Sequence, residues 1–224
     1  MTILKKNIKP TRISFVSDKN SWINNFIPNY INSINKTHRS INWLFNIDYL
    51  KDGDLCFFIG FHEIVNAKNL KKHKRNFVVH ESDLPLGKGW SPLTWQIIEN
   101  RSEIKISLID VAEKVDSGNI IFQDVMTFQG HELIEELRAI QAKHTFSLID
   151  KVLRHENPVK LKGREQKGKE TFYRRRVPAD SQLDVKKSIK SQFNLLRTVD
   201  DKRYPAFFSL SNHKYKITIE KINK

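Results

Sequence analysis

The run Leu-Cys-Phe-Phe-Ile-Gly-Phe at 55–61 leaves a strand no polar face. Successive side chains of a strand point to opposite sides of a sheet, so a segment apolar on both sides needs cover on both. It therefore reads as a central parallel strand, and Phe77–Val79 reads the same way. Further strands are expected at 13–16, 41–45, 104–111 and 119–128. Helices are expected over 20–34, 65–72, 92–100 and from Gly130 to Leu153, where Leu133, Leu137 and Ile140 fall at i, i+4 and i+7. Ser91 is suited to cap the third helix and Pro92 to open it. With no internal repeat, this alternation predicts an α/β fold: a Rossmann-like, mostly parallel sheet with helices on both faces.

The C-terminal third differs in kind. Residues 156–176 are dense in Lys, Arg, Gly and Pro and nearly free of core formers, which is the composition of a linker or mobile loop. Beyond it come a helix over 185–197 and two strands, AFFSL and YKITIEKI, joined by the polar turn SNHK as a hairpin. The expected organisation is a core at 1–155, a basic linker at 156–176 and a small extension at 177–224.

The 39 Lys and Arg against 25 Asp and Glu give a net charge of +14. That excess favours anionic partners, and nucleotides, polyglutamylated cofactors, nucleic acid and membrane surfaces all qualify. The single cysteine, Cys56, sits inside the apolar run, which excludes an intrachain disulfide and a cysteine zinc site and reads as a buried thiol. No metal site is expected. The N-terminal stretch has no apolar run long enough for a signal peptide or a membrane span, so a soluble cytoplasmic protein is expected.

His80 follows a buried strand directly and precedes a glycine-flanked loop. Ligands of α/β sheets bind just past the carboxyl ends of strands, and histidine exchanges protons near neutral pH. Taken alone, a histidine tied to a loop carbonyl is the commoner case. Asp116 taken alone reads as a turn residue before Gly118.

Three motifs in order change that balance: FFIGFHEIV, VVHESDLPLGKGWSPLTWQIIEN and VDSGNIIFQ. Over residues 54–125 they resemble the folate-dependent formyltransferase family, in which a strand ending in Ala-Gly-Phe is followed by Asn-x-His-Pro-Ser-x-Leu-Pro and then by Leu-Asp-x-Gly. His80, Ser82, Leu84 and Pro85 match the first motif, and Val115, Asp116 and Gly118 match the second. The resemblance implies transfer of a formyl group from 10-formyltetrahydrofolate to a primary amine, through a tetrahedral intermediate bearing an oxyanion. It implies that His80 moves the amine proton and that Asp116 orients the ring and favours its charged form. Where the family has a catalytic asparagine, this chain has Val78, and Asn76 is expected to stand in. Cofactor contacts are implied for His62, Glu63, Ile64 and Val65 and for Val111, Ala112 and Glu113, largely through main chain.

The acceptor is read from the tail. RRRVPADSQLDVKKSIKSQFNLLRTVDDKRYPAFF resembles the segment after the core in the sugar N-formyltransferases, which implies a nucleotide-linked amino sugar. Lys88 is expected to meet phosphate and Trp90 to cover a sugar face. The alternatives are an enzyme like the glycinamide ribonucleotide or methionyl-tRNA formyltransferases, or a non-catalytic sugar or folate binder. No nucleic-acid motif accompanies the basic runs, so nucleic acid is not an expected partner. The closing hairpin predicts a homodimer.

Overall fold

The structure is a computed structural model and describes residues 11–35 and 39–222. In chain order it contains β1 (Thr11–Val16), α1 (Ile27–Ile34), β2 (Arg39–Leu44), β3 (Gly53–Phe58), α2 (Ala67–Leu70), β4 (His73–His80), β5 (Lys88–Gly89) and α3 (Pro92–Ile98). There follow β6 (Glu103–Asp110), β7 (Ile120–Thr127), α4 (Ile134–Arg154), β8 (Phe172–Tyr173), α5 (Ile189–Thr198), β9 (Ala206–Leu210) and β10 (His213–Ile217). The main sheet has six strands in the order β2-β1-β3-β4-β6-β7, with β1 parallel to β2 and β3, and β3 parallel to β4. The α/β class is as expected, and β3 lies inside the sheet.

The chain forms two compact units, one of Met1–Val79, Leu108–Phe122 and Phe146–Glu165, the other of His80–Ser107, Gln123–Thr145 and Gln166–Lys224. In the first unit an aromatic ladder crosses the sheet. Phe15 faces Phe57 and Phe57 faces Phe77 in register, with ring centroids 5.5 Å and 5.3 Å apart. Such cross-strand pairs tie neighbouring strands together. Cys56 is fully buried beside the ladder, and burial pushes its thiol pKa well up, as suits an inert core residue.

Several boundaries moved for identifiable reasons. The helix expected over 20–34 is a 3-10 turn at Trp22–Asn25 followed by α1, because Pro28 opens a new helix and Asn24 donates to the carbonyls of Asp18 and Lys19. β4 begins at His73 rather than at Phe77. The basic run alternates as a strand does, with His73 buried over Gly53 and bonded to Ser14 at 3.0 Å, and Lys74 outside and paired with Asp54. Ser91 precedes α3 but adopts φ 48° and makes no side-chain cap.

In the second unit, α5 begins at Ile189, where the Ser188 side chain takes the Ser191 amide, rather than at 185. It shares a small core with the tail: Leu183, Leu196, Val199 and Ala206, covered by Phe208, Ile217 and Ile219. The β9–β10 hairpin turns on Ser211 and Asn212, both at positive φ, which is the two-residue turn that matches strand twist. No helix among the described residues is long and apolar enough to cross a membrane, and no cluster of metal-ligating side chains occurs among them.

Candidate active site

His80 ends β4 and is 6% exposed. Its Nε2 lies 2.8 Å from the carbonyl oxygen of Gly87. A carbonyl only accepts, so Nε2 carries the hydrogen of this bond. The loop from Glu81 to Gly89 is pinned throughout. Ser107 donates its hydroxyl to Ser82 O at 2.8 Å, and Gln96 donates to Glu81 O at 2.7 Å. The Oγ of Ser82 itself is buried with no partner among the described residues.

The segment expected to be a linker supplies the rest of the clamp. β8 pairs with β5 in parallel, Lys88 opposite Phe172 and Gly89 opposite Tyr173. Thr171 accepts the Gly87 amide on Oγ1 at 2.8 Å and the Lys88 amide on its carbonyl at 2.9 Å. Gly89 holds φ 94°, and a Cβ there would sit 2.4 Å from Tyr173 O, so only glycine admits this approach.

Two expected substrate contacts lie in this clamp. Lys88, expected to face phosphate, is 1% exposed and donates from Nζ to Glu170 at 2.6 Å. A buried ammonium needs a counter-charge, and here Glu170 provides it. Trp90 is half-buried, with the Arg175 guanidinium 4.8 Å from its ring centroid. Next to it, Arg174 lies 4.9 Å from the Trp95 ring and pairs with Asp180, whose carboxyl that guanidinium holds below the usual range. The Arg-Arg-Arg run is thus laid on aromatic faces.

The first unit holds the other expected residues. Asp116 sits between β6 and β7 at φ 53°, a left-handed conformation that aspartate tolerates better than most residues. Gly118 of the same motif is obligatory, since a Cβ there would lie 1.7 Å from Asp110 O. Asp110 is gripped by Arg75 through two bonds of 2.8 and 3.0 Å, and the same guanidinium reaches the carbonyls of Val159 and Leu161.

Of the expected cofactor residues, Val65 and Val111 pack on one apolar cluster, formed by Val16, Leu50, Cys56 and Phe58, together with Phe61 and Val78. Ile64 is 82% exposed, Glu63, Ala112 and Glu113 are exposed, and the exposed His62 bonds Asp18. Asn76, expected as a hydrogen-bond donor to the reacting oxygen, lies mid-strand and donates to Leu70 O at 2.9 Å, while its Oδ1 is buried without a partner among the described residues. Gly87, Glu170 and Thr171 were not foreseen, because nothing local in the sequence shows that residues 170–173 pair with residues 88–89.

The mostly parallel sheet superposes on the folds of solved formyltransferases. The methionyl-tRNA formyltransferase from Clostridium thermocellum superposes with a TM-score of 0.79 at 21% identity, over 95% of this chain and 94% of that one. A sugar N-formyltransferase from Shewanella sp FDAARGOS_354 superposes with a TM-score of 0.68 at 17% identity, over 96% and 99%. In sequence the chain is similar to the bifunctional polymyxin resistance protein ArnA of Wigglesworthia glossinidia brevipalpis, 27% identical over an alignment of 179 residues that covers 76% of this chain and 27% of that protein. The chain thus spans little more than a quarter of that relative's length. No protein-family model matches it.

Proposed function

We propose that the chain is a folate-dependent N-formyltransferase that moves a formyl group from 10-formyltetrahydrofolate to the amine of a nucleotide-linked amino sugar. The observation that carries this reading is His80, buried at the carboxyl end of β4 in a formyltransferase fold and oriented by the Gly87 carbonyl. In the transfer, the amine nitrogen bonds the formyl carbon, the bond from that carbon to N10 of the folate breaks, the amine loses one proton and N10 gains one. His80 takes the amine proton and returns it to N10, and Asp116 supplies negative charge that favours the ring once protonated. Val65, Val111 and the main chain of 62–65 and 111–113 hold the pterin. Asn76 serves the developing oxyanion only by releasing the Leu70 carbonyl, so Val78 leaves a real gap in the usual donor set.

For the acceptor, the likeness to the Shewanella sugar enzyme over 96% of this chain and the aromatic face of Trp90 favour a sugar nucleotide. With Lys88 neutralised by Glu170, the exposed Arg175 on Trp90 is the better phosphate contact. The second reading, methionyl-tRNA, has its own support, since 94% of the Clostridium enzyme's chain is covered and length does not separate the two acceptors. The proposal also places the formyltransferase core at 1–155, with 156–176 and 177–224 added to it, and includes a cytoplasmic location and a homodimer through the hairpin, which sedimentation at a monomer mass would refute.

The test is incubation with 10-formyltetrahydrofolate and a panel of nucleotide-linked amino sugars, read by mass spectrometry. One acceptor gaining a formyl group in place of a hydrogen is the expected result. No gain across the panel, with tight sugar or folate binding, would make the chain a binder.

A further inference from the structure

We infer that Arg175, laid over Trp90, is the residue that selects a diphosphate-bearing acceptor, and that a free nucleoside diphosphate binds there and competes with that acceptor. The inference rests on the proposed reading of the acceptor as a nucleotide-linked sugar. It is carried by the unequal fates of neighbouring cations in the second unit. Arg174 and Arg176 lie over the Trp95 ring, 4.9 Å and 5.9 Å from its centroid, whereas Arg175 between them lies over Trp90 at 4.8 Å. This is the alternation of an extended chain. Arg174 gives both of its terminal nitrogens to the Asp180 carboxylate. Arg176 is 9% exposed and spends Nη2 on the Asp180 carbonyl at 3.2 Å and the Ser181 hydroxyl at 3.3 Å. Lys88 is buried against Glu170. Arg175 alone of these four is exposed with no carboxylate paired to it among the described residues.

The indole attracts the charge as a whole and leaves the N–H fork of the guanidinium available. That fork matches two phosphate oxygens at once, which an ammonium does not. An arginine already resting on a ring also has less freedom to lose when it binds. The chain around it is fixed. The Trp90 amide donates to Tyr173 O at 3.1 Å, the Trp95 indole donates to Arg174 O at 3.0 Å, and Arg174 Nη1 donates to Arg175 O at 3.2 Å. Trp90 stands three residues beyond Gly87, whose carbonyl meets His80, so its Cα lies within about 11 Å of the Gly87 Cα. The fork is therefore close to the ring proposed to move the amine proton. A ligand of a sugar amine joined to a diphosphate spans both.

The experiment measures binding of UDP, dTDP and inorganic pyrophosphate to the full chain by calorimetry, in wild type, Arg175→Ala, Arg175→Lys and Trp90→Leu. Wild type is expected to bind at least one of the two nucleotides. Arg175→Ala should raise that Kd about 10- to 100-fold, the scale of hydrogen bonds to a charged group, and the lysine variant should recover only part of it. Trp90→Leu, which keeps the cation and removes its platform, should weaken binding about threefold. In formyl transfer, Arg175→Ala raises KM for the sugar nucleotide while kcat and the melting midpoint hardly move, and the bound nucleotide inhibits wild type competitively. A wild type that binds neither nucleotide, or an alanine variant with wild-type affinity for both, overturns the inference. So does an RNA oligonucleotide whose binding depends on Arg175 when that of the nucleotides does not. Failure of the proposed reaction leaves every acceptor unformylated, and the calorimetry then still decides whether Arg175 holds a diphosphate.

Discussion

The two units hold their expected site residues in opposite ways. In the first, Val65, Val78 and Val111 lean on an apolar cluster, and the loop between β6 and β7 is shaped by main-chain conformation at Asp116 and Gly118. In the second, the stretch after His80 is held by directed bonds: Gly87 to Thr171, Lys88 to Glu170 and Trp90 to Tyr173. An apolar wall accommodates a ligand whose contacts are mainly shape, whereas a network of directed bonds holds one ring in one orientation. The first arrangement suits binding and the second suits proton transfer.

The largest effect that separates these two roles is expected at His80. His80→Ala should lower kcat by about 10²- to 10⁴-fold, the range for a lost acid-base group, with folate affinity retained in equilibrium binding. Next is the buried pair of the second unit. Glu170→Ala leaves the Lys88 ammonium, 1% exposed, without its counter-charge, and chemical denaturation should show a loss of about 3 kcal/mol, the low end for a broken buried pair because Glu170 is 37% exposed. Lys88→Met should cost clearly less, since the carboxylate left behind reaches water.

In the first unit, Val78→Asn puts a polar group against the apolar cluster and should destabilise by about 1–3 kcal/mol unless it finds a partner. If Val78 marks the missing oxyanion donor, the same variant raises kcat, measured by formyl transfer, and an unchanged kcat would assign that task elsewhere.

The smallest effect is a pH dependence in the second unit. Burial pushes the Glu132 carboxyl up, but the amides of Gln129 and Gly130 outweigh it and hold the group below its ordinary 4.5. A depressed carboxylate contributes stability above its unfolded value and loses it as pH falls through the lower folded value. Melting curves of wild type should therefore drop on the acid side of 4.5, and Glu132→Gln should flatten that limb by about 1 kcal/mol.

The apolar strands were legible because burial on two faces leaves a mark in composition: 55–58 and 77–79 fall within β3 and β4. His73 and Arg75 were not, since a charged or polar residue in a strand looks like a loop until its partners, Ser14 and Asp110, are brought from elsewhere in the chain. The candidate site divides the same way. His80, Asp116 and Gly118 stand in short motifs that can be read in one dimension. The commoner reading of a histidine in that position, a ring tied to a loop carbonyl, also holds, since His80 bonds Gly87 O through Nε2. The Lys88–Glu170 pair was not legible, because Glu170 is 82 residues away in sequence.

The central claim is tested most directly by a competition in one vessel. A nucleotide-linked amino sugar panel, glycinamide ribonucleotide and methionyl-tRNA are offered together with 10-formyltetrahydrofolate, and initial rates of formylation of each are read by mass spectrometry with wild type and His80→Ala. Formyl transfer to one sugar amine, lost in the variant, is the predicted result. Preferential formylation of methionyl-tRNA or glycinamide ribonucleotide, or turnover that survives without His80, would contradict the account.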